Sequence, residues 1–232
     1  GSANTDGTIS STVSANTTSG FSIVSYTGTG SASDTVGHGL GVVPKMIITK
    51  VISAGGDNWK VYHVSSGNAK VLELNTTIAQ ATSGAWNNTT PTSSVFSLGN
   101  DGATNGSGAT IIAYCFADVQ GFSKFGSYTG NGNADGTFVY TGFKPAFLMI
   151  KRTSTSGDDW VMFDNKRSTS GKNVIDKRLN PNSSGAEQSG DILDFVSNGF
   201  KLKATPDYIN GSGSTYIYMA FAEQPLVGDN PA

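Results

Sequence analysis

The chain is short of the groups that carry most enzyme chemistry. Its 232 residues include one cysteine, two histidines and three glutamates. A lone Cys115 excludes an intrachain disulfide and a cysteine-rich zinc site. Its setting, Ile111-Ile112-Ala113-Tyr114-Cys115-Phe116, reads as core. Charged residues make up 14% of the chain, well under the usual ~25%. The formal net charge is −2, which argues against a nucleic-acid partner. No apolar run approaches the ~18 residues of a membrane-spanning helix, so no membrane insertion is expected. Gly1 to Gly20 has neither the basic nor the apolar segment of a secretory signal, and Gly1-Ser2-Ala3 reads as a cloning scar. No nucleophile elbow, phosphate-binding loop or zinc motif is present, and no facing carboxylate pair stands out for glycoside hydrolysis. The expectation is a protein without catalysis.

What the chain does have is small polar residues and short apolar runs. Gly, Ser, Thr and Asn make up roughly 44% of it, a poor composition for helices and a good one for short strands joined by polar turns. Strands are predicted over 21–26, 45–51, 59–64, 71–75, 95–98 and 110–116. A second set of landmarks then repeats the first. Tyr26-Thr27-Gly28-Thr29-Gly30 recurs as Tyr128-Thr129-Gly130-Asn131-Gly132, and Gly41-Val42-Val43-Pro44 as Gly142-Phe143-Lys144-Pro145. Gly56-Asp57-Asn58-Trp59 recurs as Gly157-Asp158-Asp159-Trp160, and Asn105-Gly106-Ser107-Gly108 as Asn210-Gly211-Ser212-Gly213. The order is constant at an offset of about 101 to 105 residues, too long for a solenoid.

The expected fold is therefore all-β: two tandem, internally homologous β-sandwich units, jelly-roll-like and packed side by side. The expected divisions are a polar linker or fibre-like lead-in over 1–19, repeat 1 over 20–118, repeat 2 over 119–225 and a loose tail over 226–232.

Gly20-Phe21-Ser22-Ile23-Val24-Ser25-Tyr26-Thr27-Gly28, Val36-Gly37-His38-Gly39-Leu40-Gly41-Val42-Val43-Pro44-Lys45 and Tyr140-Thr141-Gly142-Phe143-Lys144-Pro145 carry a resemblance. So does Ser197-Asn198-Gly199-Phe200-Lys201-Leu202. These segments resemble a C-terminal domain of unknown function in tail-fibre-like proteins of marine and environmental phages. The resemblance implies a virion tail appendage, adhesion to a host-surface glycan and, through the full fibre, a homotrimer. It assigns no site residues.

The residues themselves offer a few candidates. Trp86 lies in the polar stretch Ser83-Gly84-Ala85-Trp86-Asn87-Asn88 and has no counterpart in the second copy. An exposed Trp stacks on a pyranose while amides such as Asn87 and Asn88 meet its hydroxyls. His63 and Asp164 hold matching positions and are candidates to line a polar pocket. Lys166, Arg167, Lys172, Lys177 and Arg178 form a basic window suited to an anionic group, with aspartates interleaved. Asn131, Asn133 and Asp135 space oxygens like the start of a calcium loop, but Gly142 stands where its last acidic ligand belongs. No cofactor is expected, and calcium is left open. The functional expectation is a receptor-binding module for a host-surface carbohydrate. The alternatives are a glycan depolymerase or a ligand-free, trimerising fibre tip.

Overall fold

The computed structural model describes residues 1–168 and 174–225, with residue 191 as backbone only. The predicted tail over 226–232 lies outside them. The protein is nearly all β, with 44% of residues in strands and 4% in helices, as polar turns and short apolar runs require. No helix is long and apolar enough to cross a membrane. The chain divides into unit 1, residues 1–74 and 80–118, and unit 2, residues 75–79 and 119–232.

Unit 1 holds ten strands. They are β1 (Ser2–Asn4), β2 (Ser11–Asn16), β3 (Phe21–Thr27), β4 (Asp34–Gly37), β5 (Met46–Val51), β6 (Lys60–His63), β7 (Lys70–Glu73), β8 (Ala81–Thr82), β9 (Val95–Leu98) and β10 (Thr110–Phe116). Eight form one antiparallel sheet in the order β1-β2-β3-β10-β5-β6-β7-β8, and β4 pairs with β9. A one-turn helix, α1 (Gly102–Asn105), precedes β10. Period-two alternation sets the core face: Val24 and Tyr26 of β3 and Ile111, Ala113 and Cys115 of β10 are buried with Val36, Phe96 and Leu98 of the small sheet. Cys115 is thus a core residue, its thiol pushed up to about 12 by burial.

Residues 1–19 are not a linker. β2 pairs with β3 from Ser11 opposite Tyr26 to Asn16 opposite Phe21, and β1 pairs with β2. Ile9, Ser11 and Val13 are buried, so Ser11 to Val13 follow the strand alternation although most of the segment is small and polar.

Unit 2 holds β11 (Ser123–Thr129), β12 (Phe138–Tyr140), β13 (Pro145–Arg152), β14 (Val161–Asp164), β15 (Val174–Arg178), β16 (Gln188–Val196), β17 (Gly199–Leu202), the one-turn α2 (Asp207–Asn210) and β18 (Thr215–Ala222). Two four-stranded sheets, β11-β18-β13-β14 and β12-β17-β16-β15, bury one shared cluster. Leu148, Ile150, Phe163 and Tyr216 come from the first sheet, and Leu193, Phe195, Phe200 and Leu202 from the second. Lys151 is fully buried; its ammonium donates to the carbonyls of Asp158 and Thr77, and burial pulls its pKa down to about 8.

The repeated sequence landmarks make the same bonds in each unit. Tyr26 donates its hydroxyl to the Thr104 carbonyl at 2.6 Å, and Tyr128 to that of Ile209 at 2.7 Å. Asn105 is buried; its Oδ1 accepts from Thr29 N–H and its Nδ2 donates to the carbonyls of Ser31 and Gly99. Asn210, also buried, accepts from Asn131 N–H and donates to the carbonyls of Asn133 and Ala204. The glycines before these clamps are fixed by close approach. A Cβ on Gly28 would sit 2.4 Å from the Gly106 carbonyl oxygen, and one on Gly130 2.5 Å from that of Gly211.

Candidate functional site

Several sequence candidates are occupied by structure. Trp86 is 1% exposed and packs edge-on against Tyr62, with ring centroids 5.9 Å apart. It offers no face to a sugar, which corrects the expectation of an exposed platform. A polar loop still buries a large aromatic where that ring completes a core. Asn87 and Asn88 take left-handed backbone angles, φ 50° and 48°, and shape the turn beneath the indole. The Asn87 amide reaches Ser33 Oγ at 3.3 Å.

His63 and Asp164 do share a job, and it is to cap a turn. His63 is buried, and its Nδ1 accepts from Ser65 N–H at 3.2 Å. Asp164 Oδ1 accepts from Lys166 N–H and Arg167 N–H, both at 2.9 Å. The Arg167 guanidinium pairs with Asp164 and reaches Glu187 at 3.2 Å. Those Arg167 contacts hold the Asp164 carboxyl below its ordinary range despite partial burial, which acts the other way. Arg178 is bonded to Tyr208 and Gln188, and Lys177 to Ser189. The basic window is therefore largely paired, while Lys172 lies outside the described residues.

His38 is buried as well. Its Nδ1 accepts from Leu40 N–H at 3.2 Å and its Nε2 lies 3.1 Å from the Thr92 carbonyl, a neutral imidazole whose pKa burial lowers.

The calcium-loop oxygens are also taken. Asn131 Oδ1 accepts from Asn133 N–H, Asn133 Oδ1 accepts from Asp135 N–H, and Asp135 Oδ1 is 2.6 Å from the Lys201 ammonium. Asn131 and Asn133 thus make successive side-chain turns, and Asp135 pairs with a lysine. Among the described residues no group of three or more His, Cys, Asp or Glu side chains is placed to hold a metal ion.

A different corner of unit 2 forms an open cleft of about 340 Å³, lined by Gly121, Gly142, Phe143, Lys144, Ser197, Glu223 and Gln224. Four turns and strand ends build it. Asn198, in the β16–β17 turn, accepts through its carbonyl from Thr141 N–H at 3.0 Å and Gly142 N–H at 3.2 Å. That pair of hydrogen bonds clamps the β12–β13 turn, where Gly142 takes φ 87°. Glu223 N–H donates to the Lys144 carbonyl at 2.8 Å, which seats the end of β18 beside the same turn.

The side chains then converge. Lys144 Nζ lies 2.9 Å from Glu223 Oε2, and Asn165 Nδ2 donates to Glu223 Oε1 at 2.6 Å. The Lys144 hydrogen bond, with help from Asn165 and the charge of Lys166, holds the Glu223 carboxyl below its ordinary range. It stays an ionised acceptor, poorly suited to act as a general acid. Tyr140 stands next to the lining residue Gly142. It is 65% exposed, and its ring stands 3.7 to 3.9 Å from where a Gly142 Cβ would be. An ammonium, a carboxylate and an amide thus meet near an exposed aromatic side chain.

The chain belongs to the DUF7483 family, a domain of unknown function. The match spans residues 1–225. Searches of curated proteins and of solved structures returned no match.

The cleft was not visible in the sequence, because Lys144, Asn165 and Glu223 are far apart along the chain. The repeat does contain a signal for it. At the 101-residue offset, Lys144 and Asn165 correspond to Val43 and Val64, and by strand register, with Val36 opposite Phe96 as Val139 is opposite Phe200, Tyr140 corresponds to Gly37. Landmarks that build the fold recur in both copies, whereas these three do not.

Proposed function

We propose that the chain is a non-catalytic adhesion module of the phage tail-fibre type, exposed on a virion tail, whose unit 2 cleft binds a host-surface carbohydrate. The observation that carries this reading is an open cleft lined by Lys144 and Glu223, with Asn165 bonded to Glu223 and the exposed Tyr140 beside the lining residue Gly142. An exposed ring stacks on the C–H face of a pyranose, and the ammonium, carboxylate and amide exchange hydrogen bonds with its hydroxyls. Glu223 is the one carboxylate among the described cleft-lining residues, which supports binding over two-carboxylate hydrolysis. The tail-fibre setting and a homotrimer in the full fibre rest on the sequence resemblance. The matching asparagine clamps support reading the two units as copies of one β-sandwich module.

A glycan and polysaccharide array, run with and without calcium, tests the reading. Wild type binds one glycan class in both conditions. Tyr140→Ala and Glu223→Gln each lower that signal at least tenfold, while Trp86→Phe leaves it in place. A silent array from folded protein, or release of reducing sugar from a bound glycan, contradicts the proposal.

A further inference from the structure

Beside the cleft runs β12, whose last residue, Tyr140, lies two places before the lining residue Gly142. This strand is the edge of its sheet, paired on one side with β17. Val139 points into the core, so its neighbours Phe138 and Tyr140 point to the opposite face, 47% and 65% exposed. Tyr140 stands opposite Gly199 and Phe138 opposite Lys201. Because Gly199 has no side chain, the Phe138 ring spreads across it, 3.2 Å from where a Cβ would be. Each ring has an ion pair beside it. Tyr140 borders the cleft that holds Lys144–Glu223, and Phe138 pairs across the strands with Lys201, which binds Asp135 at 2.6 Å.

Two residues of strand advance about 7 Å. A six-membered ring of ~1.5 Å bonds is only about 3 Å across, so a single sugar ring does not cover both aromatics. We infer that this aromatic strip binds a glycan chain: one unit over Tyr140 with its hydroxyls in the cleft, and the next over Phe138 against Lys201–Asp135. An apolar protein segment would bury both ion pairs without replacing their water, at a desolvation cost, whereas a polyol supplies hydroxyls to both. In the matching strand of unit 1, where Val36 stands opposite Phe96 as Val139 does opposite Phe200, Thr35 and Gly37 take the places of Phe138 and Tyr140, so its fold does not depend on rings there. This inference rests on the saccharide reading of the cleft.

Calorimetry on the full chain tests it, with glucose, galactose and N-acetylglucosamine, the β-1,4-linked hexasaccharide of each, and any array-positive glycan as probes. The hexasaccharide of the sugar that binds is expected to be about tenfold tighter than the monosaccharide. Phe138→Ala erases that gain and leaves monosaccharide affinity unchanged. Glu223-dependent binding with no gain in length overturns the strip and spares the cleft. Absence of binding to every probe overturns the cleft reading and the strip with it. A dimer in sedimentation that Phe138→Ala dissociates assigns the ring to self-association and overturns the strip.

Discussion

Asn105 and Asn210 show how much one buried amide decides. Each joins three backbone groups that are remote in sequence from it or from one another, and each is fully buried. Replacing Asn210 with Asp keeps the size and turns the two-proton donor into an acceptor facing the carbonyls of Asn133 and Ala204. Asn210→Asp is expected to cost about 2–5 kcal/mol in urea unfolding of unit 2. An unchanged midpoint contradicts the clamp. The sequence marks Asn-Gly-Ser-Gly as a turn in both copies, since Asn and Gly suit such turns. It does not reveal the clamp, because the bonded carbonyls of Ser31 and Asn133 lie 74 and 77 residues away. Trp86 follows the same logic: the local stretch is polar, and Tyr62, which packs against the indole, belongs to β6, remote in sequence.

At the scale of elements, alternation carries the information. Strands β3, β5, β6, β7, β9 and β10 lie where runs of apolar and β-branched residues mark them. β1, β2, β4 and β8 are not legible in the sequence, because their small polar residues leave little alternation to read. β2 matters most among them. It covers the edge of β3 and brings Val13 into the core, while Ile9 enters just before it. Burial of each such side chain stabilises by about 1.5–3 kcal/mol, and an uncovered β3 would expose unpaired backbone groups to other chains. Deleting residues 1–17 is therefore expected to lower the unfolding midpoint of unit 1 and to promote aggregation. A truncated chain as stable and as monodisperse as the parent contradicts the role of β2.

At the scale of the whole molecule, the two units share some positions and differ at others. Shared positions, such as Tyr26 with Tyr128 and Asn105 with Asn210, explain the fold. Divergent ones gather at one corner, where Tyr140, Lys144 and Asn165 stand in unit 2 against Gly37, Val43 and Val64 in unit 1. In unit 1 that corner exposes Val42 and Val43, with neither the aromatic nor the lysine. The all-β class was legible because composition and alternation are summed over the entire chain. The cleft was not, because its groups meet only once β12, β13, β14 and β18 are in place. The measurement that tests the account most directly is amide chemical-shift mapping of the isotope-labelled chain titrated with its array-positive glycan. The account predicts saturable shifts at Tyr140, Gly142, Lys144, Asn165 and Glu223, with Gly39 to Val43 unmoved. Shifts confined to unit 1, or scattered without saturation, would contradict it.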